Sequence, residues 1–246
     1  MVGPHRPRDG KQLNGTIITR ALEEGYGLSG VLAHVLVTGG IALLAQLGSF
    51  GLNDLARHNR IEHNASLVHD DTKDRDEYAP ISPNPTLVKQ FLEQVKDGQF
   101  VTVEDVARAR VWRESQCPGL HQFQAEIARG EMAIALGLFS QPVSNNKQGI
   151  PIDLLRVWFS EERLPDGWRP THRQGLFETI RMSRQLYDEM KKIRGKGKVF
   201  PLSTHRRSGV FRVSDLFGYI VSFNLFIFTS LILIGSHILG IRSFIY

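Results

Sequence analysis

The feature that most constrains the fold is the spacing of apolar residues, which recur every three or four positions along most of the chain. This spacing places them on one face of an α-helix, whereas few segments alternate with the period of two that a half-buried strand shows. Thr102 and Asp105 form a capping-box pattern at the start of one helix. Another is predicted from about Leu176 to Ile193. The sequence therefore predicts an all-α domain.

A second constraint is the run Leu216–Ile241, which contains no Asp, Glu, Lys or Arg. At the rise of an α-helix it is long enough to cross a hydrocarbon core of about 30 Å, so we predict one transmembrane helix. Basic residues are dense between Lys191 and Arg212, and only Arg242 follows the run. This charge bias predicts a single-pass C-terminal anchor with the preceding domain facing the cytosol.

The chain is thus divided into a helical domain at 1–194, a flexible basic linker at 195–215 and the membrane helix at 216–241. A rival membrane span is the uncharged run Leu28–Leu52, but it contains five glycines together with His34 and Gln46. We interpret it as a helix buried in the core of the domain.

Composition narrows the classes of protein that fit. Hydrophobic residues make up 41% of the 246 residues and charged residues 22%, which is typical of a globular domain with a core. The single cysteine, Cys117, excludes an internal disulfide and a cysteine-rich zinc site. The net charge of +5 arises from basic residues that are not interleaved with aromatics, so the pattern indicates a membrane surface and not a nucleic acid as partner.

The segment RIEHNASL places chemically active side chains next to one another. If it is helical, the Glu62 carboxylate and the Ser66 hydroxyl lie one turn apart on one face and offer two oxygens to Mg²⁺ or Mn²⁺. His63 then points about 100° round the helix and is free for proton transfer. The residues alone leave open a solvated helix start, and a metal-dependent hydrolase that uses Glu62 with Asp70 or Asp71.

The surrounding residues resemble one protein family. The stretch HNRIEHNASLVHDD resembles the Glu-His-Asp-x-Ser signature of the fungal haem-thiolate haloperoxidases and unspecific peroxygenases, the chloroperoxidase-like family. Four other pieces occur in the family's order: PRDGKQL at 7–13, VTVEDVARARVWR at 101–113, Gly130-Glu131, and FSEERLPDGWR at 159–169. The likeness covers about residues 5 to 190 and implies a helical chloroperoxidase-like fold.

The resemblance also implies an activity and a site. It implies haem b as cofactor, hydrogen peroxide and a small organic substrate as reactants, and by analogy a role in fungal secondary metabolism. The Glu62 carboxylate, the His63 carbonyl and the Ser66 hydroxyl are expected to bind Mg²⁺ or Mn²⁺. The His63 side chain is expected to orient a catalytic acid–base glutamate, which by motif order is Glu131, with Glu126 as the competing choice. In this interpretation RIEHNASL is one helix, on which Glu62 and Ser66 bind the cation and His63 orients the acid–base glutamate.

Two departures from the family pattern bear on function. The Asp of the signature is Asn64 here, which keeps an acceptor oxygen but removes a charge. The family's Pro-Cys-Pro segment, whose thiolate is the proximal haem ligand, has no counterpart. Cys117 is not predicted to replace it, because it lies in the loop before the helix that bears Glu131. His5 and His34 are chemically able to bind iron, but we interpret each as a surface or core histidine.

Two expectations follow from the missing ligand. In the first, the sequence lacks an upstream segment that holds the cysteine, and the protein is a peroxidase or peroxygenase. In the second, the chain is a diverged relative that has lost thiolate ligation. The second expectation predicts a catalytically inactive, membrane-anchored homologue with a binding or scaffolding role.

Overall fold

Helices dominate the computed structural model of the chain, which describes residues 10–46, 48–73, 75–143 and 147–196. The α-helices of these residues are α1 (Gly15–Tyr26), α2 (Gly30–Leu44), α3 (Pro85–Leu92), α4 (Val103–Ser115), α5 (Gln122–Phe139), α6 (Ile152–Glu161) and α7 (Leu176–Lys196). A short 3₁₀ helix, Leu52–Ala56, lies between α2 and α3. The prediction of a helical domain is confirmed.

Helices α1 and α2 pack against each other as a hairpin. Each begins with a side-chain cap: the Asn14 Oδ1 accepts from the N–H of Ile17 at 3.0 Å, and the Ser29 hydroxyl accepts from the N–H of Leu32 at 3.2 Å. The predicted buried helix in Leu28–Leu52 is confirmed, although α2 has only 15 residues and ends at Leu44. Its buried residues, which include Leu32, Ala33, Leu36, Val37 and Leu44, join the core.

Helix α7 packs against both α4 and α5. The predicted capping box of α4 is confirmed, because the Thr102 hydroxyl accepts from the N–H of Asp105 at 3.3 Å and the Asp105 carboxylate accepts from the N–H of Thr102 at 2.9 Å. Helix α5 is buried along most of its length, including Ala128, Met132 and Leu136. The side chains of α4 and α5 are therefore held by helices that are fixed in the core.

A small antiparallel sheet was not predicted. It contains β1 (Phe100–Val101), β2 (Gln141–Pro142) and β3 (Gln148–Pro151), in the spatial order β1-β3-β2. Val101 pairs with Ile150, and Gln141 pairs with Gly149. Strands of two to four residues are too short to show alternation in the sequence. The sheet connects the start of α4, the end of α5 and the start of α6.

The predicted division of the chain is only partly within the described residues. Helix α7 continues to Lys196, two residues into the predicted linker. The rest of the linker and the predicted membrane helix at 216–241 lie outside the described residues. Within residues 10–196, apart from the gaps, no helix combines the length and the apolar character needed to cross a membrane.

Candidate active site

The segment RIEHNASL lies in the irregular connection between the 3₁₀ helix and α3. Ala65 has a φ of 65°, in the left-handed region that non-glycine residues seldom adopt, and this interrupts any helical path. Glu62 and Ser66 therefore do not share a helix face, and the interpretation of the segment as one helix is wrong. The reason is that contacts with distant residues fix this backbone, and local residue spacing does not encode them.

Two side chains of the same connection hold the segment internally. The Asn64 side-chain oxygen accepts from the N–H of Thr72 at 2.9 Å, and the Asp71 carboxylate accepts from the N–H of Ala65 at 2.6 Å. The Asn64 bond requires only an acceptor oxygen, which Asn and Asp both supply. Asn64 thus retains a structural bond that the family's Asp is equally able to make.

Two arginines of α4 hold the segment from outside. The Arg110 guanidinium donates to the carbonyl of Ala65 at 2.7 Å and to the Glu114 carboxylate at 2.9 Å. Arg113 donates to the carbonyl of Ser66 at 2.8 Å and to the Asp71 carboxylate at 2.5 Å. Both arginines are buried, with exposed fractions of 1% and 4%. The irregular segment is therefore anchored to a helix that is more than thirty residues away in sequence.

This anchoring brings His63 to Glu131 on α5. The His63 Nε2 lies 3.5 Å from the Glu131 Oε1, and the imidazole is buried. The other ring nitrogen, Nδ1, lies 2.7 Å from the backbone carbonyl of Asn64. A carbonyl only accepts, so Nδ1 carries a hydrogen and Nε2 faces the carboxylate. Sequence position had predicted this pair of residues, and the structure places them side by side.

The pair is incomplete by itself. Neither the His63 Nε2 nor the Glu131 Oε1 completes a hydrogen bond within the described residues, although both atoms are buried. Buried polar atoms without partners are uncommon in folded proteins and call for a role or an additional ligand. The pair thus fits a site that receives a further polar molecule.

The electrostatic setting of His63 favours the imidazolium. Burial opposes the charged form, but the nearby Glu131 carboxylate and the Asn64 carbonyl outweigh it and raise the pKa of His63, while the charge of Arg110 partly opposes this rise. A protonated His63 presents an N–H at Nε2 to Glu131 and stabilises its carboxylate form. That form is the one able to accept a proton.

Glu126, the competing choice for the acid–base group, has a different partner. It lies on α5 one turn and a half before Glu131 and forms an ion pair with Arg129. Arg129 in turn lies over the ring of Tyr187 on α7, 4.8 Å from its centroid. Glu126 therefore contributes to packing between α5 and α7, and the structure favours Glu131 over it.

Two of the three predicted cation ligands, Glu62 and Ser66, already have partners within the protein. The Glu62 carboxylate is bound to the His58 Nδ1 at 2.7 Å. The Ser66 hydroxyl accepts from the N–H groups of Val68 and His69 at 3.3 and 3.1 Å. A hydroxyl has two acceptor lone pairs, so none remains for a cation.

The same conclusion applies to the hydrolase alternative. Asp70 accepts from the Asn84 amide at 2.6 Å, and Asp71 is engaged by Arg113 and Ala65. Among the residues that the structure describes, no three His, Cys, Asp or Glu side chains cluster as metal ligands would. We derive no catalytic step through Mg²⁺ or Mn²⁺ from this arrangement.

Three residues were candidates for a haem ligand: Cys117, His34 and His5. Cys117 packs beside Ala65, Leu120 and Ala125, where burial and the charge of Asp71 raise the pKa of its thiol. A raised pKa disfavours the thiolate, which is the form that binds iron. His34 is exposed on α2 near the Thr38 hydroxyl, and His5 lies outside the described residues. The described residues therefore include no cysteine poised as a thiolate.

The sequence interpretation missed the role of the two α4 arginines. Arg110 and Arg113 lie in the piece VTVEDVARARVWR, for which the sequence indicated no buried partner. A signal was present, because both fall on the stripe that contains Val106 and Ala109, where a charged residue must find a buried partner. The identity of that partner required the tertiary structure.

The comparison with protein families agrees with the geometry of this site. The family described as "Peroxidase, family 2" matches residues 5–173, more than half of the chain, and the match includes both RIEHNASL and Glu131. No curated protein matches the chain. The chain belongs to peroxidase family 2, the chloroperoxidase-like family.

Proposed function

We propose that this protein is a peroxidase-type oxidoreductase that uses hydrogen peroxide to oxidise a small organic molecule. The family match supports a peroxidase-like function. The observation that carries the proposal is the buried pair of His63 and Glu131. Their facing atoms lie 3.5 Å apart, and neither atom completes a hydrogen bond within the described residues. Such a pair suits a group that must exchange a proton with a bound reactant.

The proposed role of Glu131 is to move one proton within peroxide. Its carboxylate takes the proton from one oxygen of H₂O₂ and returns it to the other oxygen, which leaves as water when the O–O bond breaks. The haem that the family implies supplies the iron and its redox chemistry when bound. Glu131 is unchanged at the end of the transfer, as an acid–base catalyst must be.

The proposed role of His63 is to position Glu131. Its Nδ1–H is held by the Asn64 carbonyl, so the ring cannot rotate without losing that bond. Its Nε2 then stabilises the carboxylate before proton transfer and fixes the direction in which the carboxylate points. Around the pair, Ile127, Ile134 and Leu138 are buried apolar residues of α5 and are candidates for the pocket wall.

The proposal is tested with Glu131→Gln and the matched variant Glu126→Gln. Both replace a glutamate of α5 by its neutral isostere, but only Glu131 faces His63. We expect Glu131→Gln to lower the peroxide-dependent oxidation of a small phenol by about 10² to 10⁴-fold, the usual contribution of acid–base catalysis. Glu126→Gln is expected to stay within about threefold, because Glu126 pairs with Arg129 and does not face His63.

Haem binding is measured on the same samples from the Soret band. Equal losses in the two variants would contradict the assignment of Glu131. If the chain supplied with haem shows neither a Soret band nor peroxide-dependent turnover, both with and without the segment encoded upstream of it, the enzyme proposal fails, and the inactive, membrane-anchored homologue with a binding or scaffolding role takes its place.

We also propose that residues 216–241 anchor the protein in a membrane, with the helical domain on the cytosolic side. The support is the uncharged run and the basic residues before it. Deletion of residues 216–246 is expected to move the protein from the membrane pellet to the supernatant after carbonate washing of cell membranes. Retention of the truncated protein in the pellet would contradict the anchor.

A further inference from the structure

Arg110 is the largest side chain of the described residues that is almost completely buried, with an exposed fraction of 1%. A guanidinium is costly to remove from water unless its donors are paired. Its two terminal nitrogens are paired with the carbonyl of Ala65 and the carboxylate of Glu114. Arg110 therefore lies in the protein interior to make two specific bonds, and one of them is to the segment that contains His63.

The Glu114 carboxylate is shared with a second arginine. Its other oxygen accepts from Arg194 near the end of α7. One largely buried carboxylate, with a side-chain exposure of 9%, thus binds two guanidinium groups and links Arg110 to α7 as well as to its own helix. The direction of the Arg110 fork is set by α4 and α7 and does not depend on the loop that it holds.

The hydrogen bonds of the two peptide groups beside Ala65 connect Arg110 to His63. The peptide group that joins Asn64 to Ala65 has its N–H held by Asp71 and its C=O bound to the His63 Nδ1. The next peptide group has its C=O held by Arg110. Because each peptide group is planar, these two contacts fix both sides of the Ala65 Cα in a left-handed conformation that alanine disfavours.

Loss of the Arg110 contact would release this conformation. The peptide group between Asn64 and Ala65 would keep its Asp71 bond but lose the restraint on the other side of the Ala65 Cα, so the Asn64 carbonyl would shift away from the His63 Nδ1. The imidazole would lose the bond that directs its Nε2 towards Glu131. The contact chain therefore runs from Arg110 through two peptide groups to the His63 ring and on to Glu131.

We propose that Arg110 is a positioning residue for the peroxide reaction, which acts by holding the Ala65 carbonyl and thereby directing His63 towards Glu131. The inference rests on the proposed function for its consequence in catalysis. Its geometric part concerns only the residues of this chain and is measurable without haem or peroxide.

The chain offers a matched control on the same helix. Arg108 also donates to a backbone carbonyl, that of Gln94 at 2.8 Å, and also pairs with a carboxylate, that of Asp105. Among the described residues it makes no hydrogen bond to RIEHNASL, and its carboxylate partner, Asp105, lies near the start of α4, whereas that of Arg110 lies near the end. Arg110→Met and Arg108→Met each remove a guanidinium that binds one backbone carbonyl and one carboxylate, but only the first removes the contact with Ala65.

The first measurement is the proton on the His63 Nδ1, observed in ¹H–¹⁵N spectra of the full chain with labelled histidine and assigned by its loss in His63→Gln. We expect this resonance to shift or disappear in Arg110→Met and to be unchanged in Arg108→Met. The second measurement is turnover with peroxide. We expect kcat to fall on the order of 10²-fold in Arg110→Met, the usual effect of a small misplacement of catalytic groups, with little change in KM.

Arg110→Lys provides a second variant in case Arg110→Met does not fold. Lysine keeps the charge but lacks the planar fork that reaches Ala65 and Glu114 together, so the resonance and kcat are expected to lie between the two methionine variants. The proposal is overturned if Arg110→Met, or Arg110→Lys in its place, matches Arg108→Met in both measurements. A wild-type chain without peroxide turnover, in which the resonance still depends on Arg110, would instead overturn the proposed function and support the positioning contact.

Discussion

Two of the histidine–glutamate pairs formed by the connection between the 3₁₀ helix and α3 differ in almost every respect. His58 and Glu62 are four residues apart in sequence and are bonded at 2.7 Å. His63 and Glu131 come from elements far apart in sequence and are separated by 3.5 Å. The atoms of the first pair satisfy each other, whereas the facing atoms of the second are buried without completed bonds among the described residues.

The difference is the one expected between a pair that stabilises the fold and a pair that receives a reactant. A local pair forms whenever the loop forms, and it is complete without any ligand. A long-range pair forms only because α4 and α5 bring its two members together, and its incomplete bonds are retained at a cost to stability. That cost is expected where a site is arranged for a reactant and not for the stability of the fold.

The largest effect is expected when the histidines of the two pairs are exchanged for glutamine. His63→Gln should lower peroxide-dependent kcat by about 10²-fold or more, because Glu131 loses the group that orients it. His58→Gln should change kcat by less than about threefold, because Glu62 has no assigned role in proton transfer. Steady-state kinetics of the two variants at equal haem loading would check the comparison, and similar losses in both would break it.

A moderate effect is expected in the pH dependence of stability. The pKa of His63 is raised in the folded protein, so its contribution to the free energy of unfolding is fully present below the unfolded pKa of about 6.5. The contribution is lost as the pH rises from there through the folded pKa. Urea unfolding of the wild type and of His63→Gln should show a difference that is largest below about pH 6.5 and shrinks as the pH rises above it. A difference that grows with pH would contradict the direction of the shift.

The smallest effect is expected at the predicted metal ligands. Glu62→Gln should leave peroxide turnover within about threefold, because Glu62 is satisfied by His58 and Ser66 has no free lone pair for a cation. Treatment of the wild type with a chelator of divalent ions should likewise have little effect on turnover. If both treatments abolish activity and added Mn²⁺ restores the chelated enzyme, the loop must rearrange around a metal. The pair of His58 and Glu62 would then serve the reaction as well as the fold.

Much of the fold and part of the site were accessible from the sequence. The helical domain, the capping box at Thr102 and Asp105, and the membership of the family were predicted and are confirmed. The pairing of His63 with Glu131 was expected from motif order, and the structure places the two residues together. These features depend on residue spacing within single elements, or on motifs that are read directly along the chain.

Other features of the site were predicted wrongly or were not predicted. The octapeptide RIEHNASL was interpreted as a helix because its polar residues are spaced by one turn, but it is a bent connection with Ala65 in a left-handed conformation. The contacts that bend it come from Arg110 and Arg113, more than forty residues later in the chain. No local pattern predicts which carbonyl a buried arginine will reach.

The sequence by itself determined that the domain is helical, which residues are candidates for proton transfer, and the family to which the chain belongs. It did so because helix periodicity and short motifs are local properties of the chain. Only the tertiary structure decided that Glu131 and not Glu126 faces His63. It also decided that the Ser66 hydroxyl accepts from backbone N–H groups and that α4 holds the segment RIEHNASL. These outcomes depend on the packing of distant elements, which decides the polar atoms that are paired and the polar atoms that remain available for a reactant.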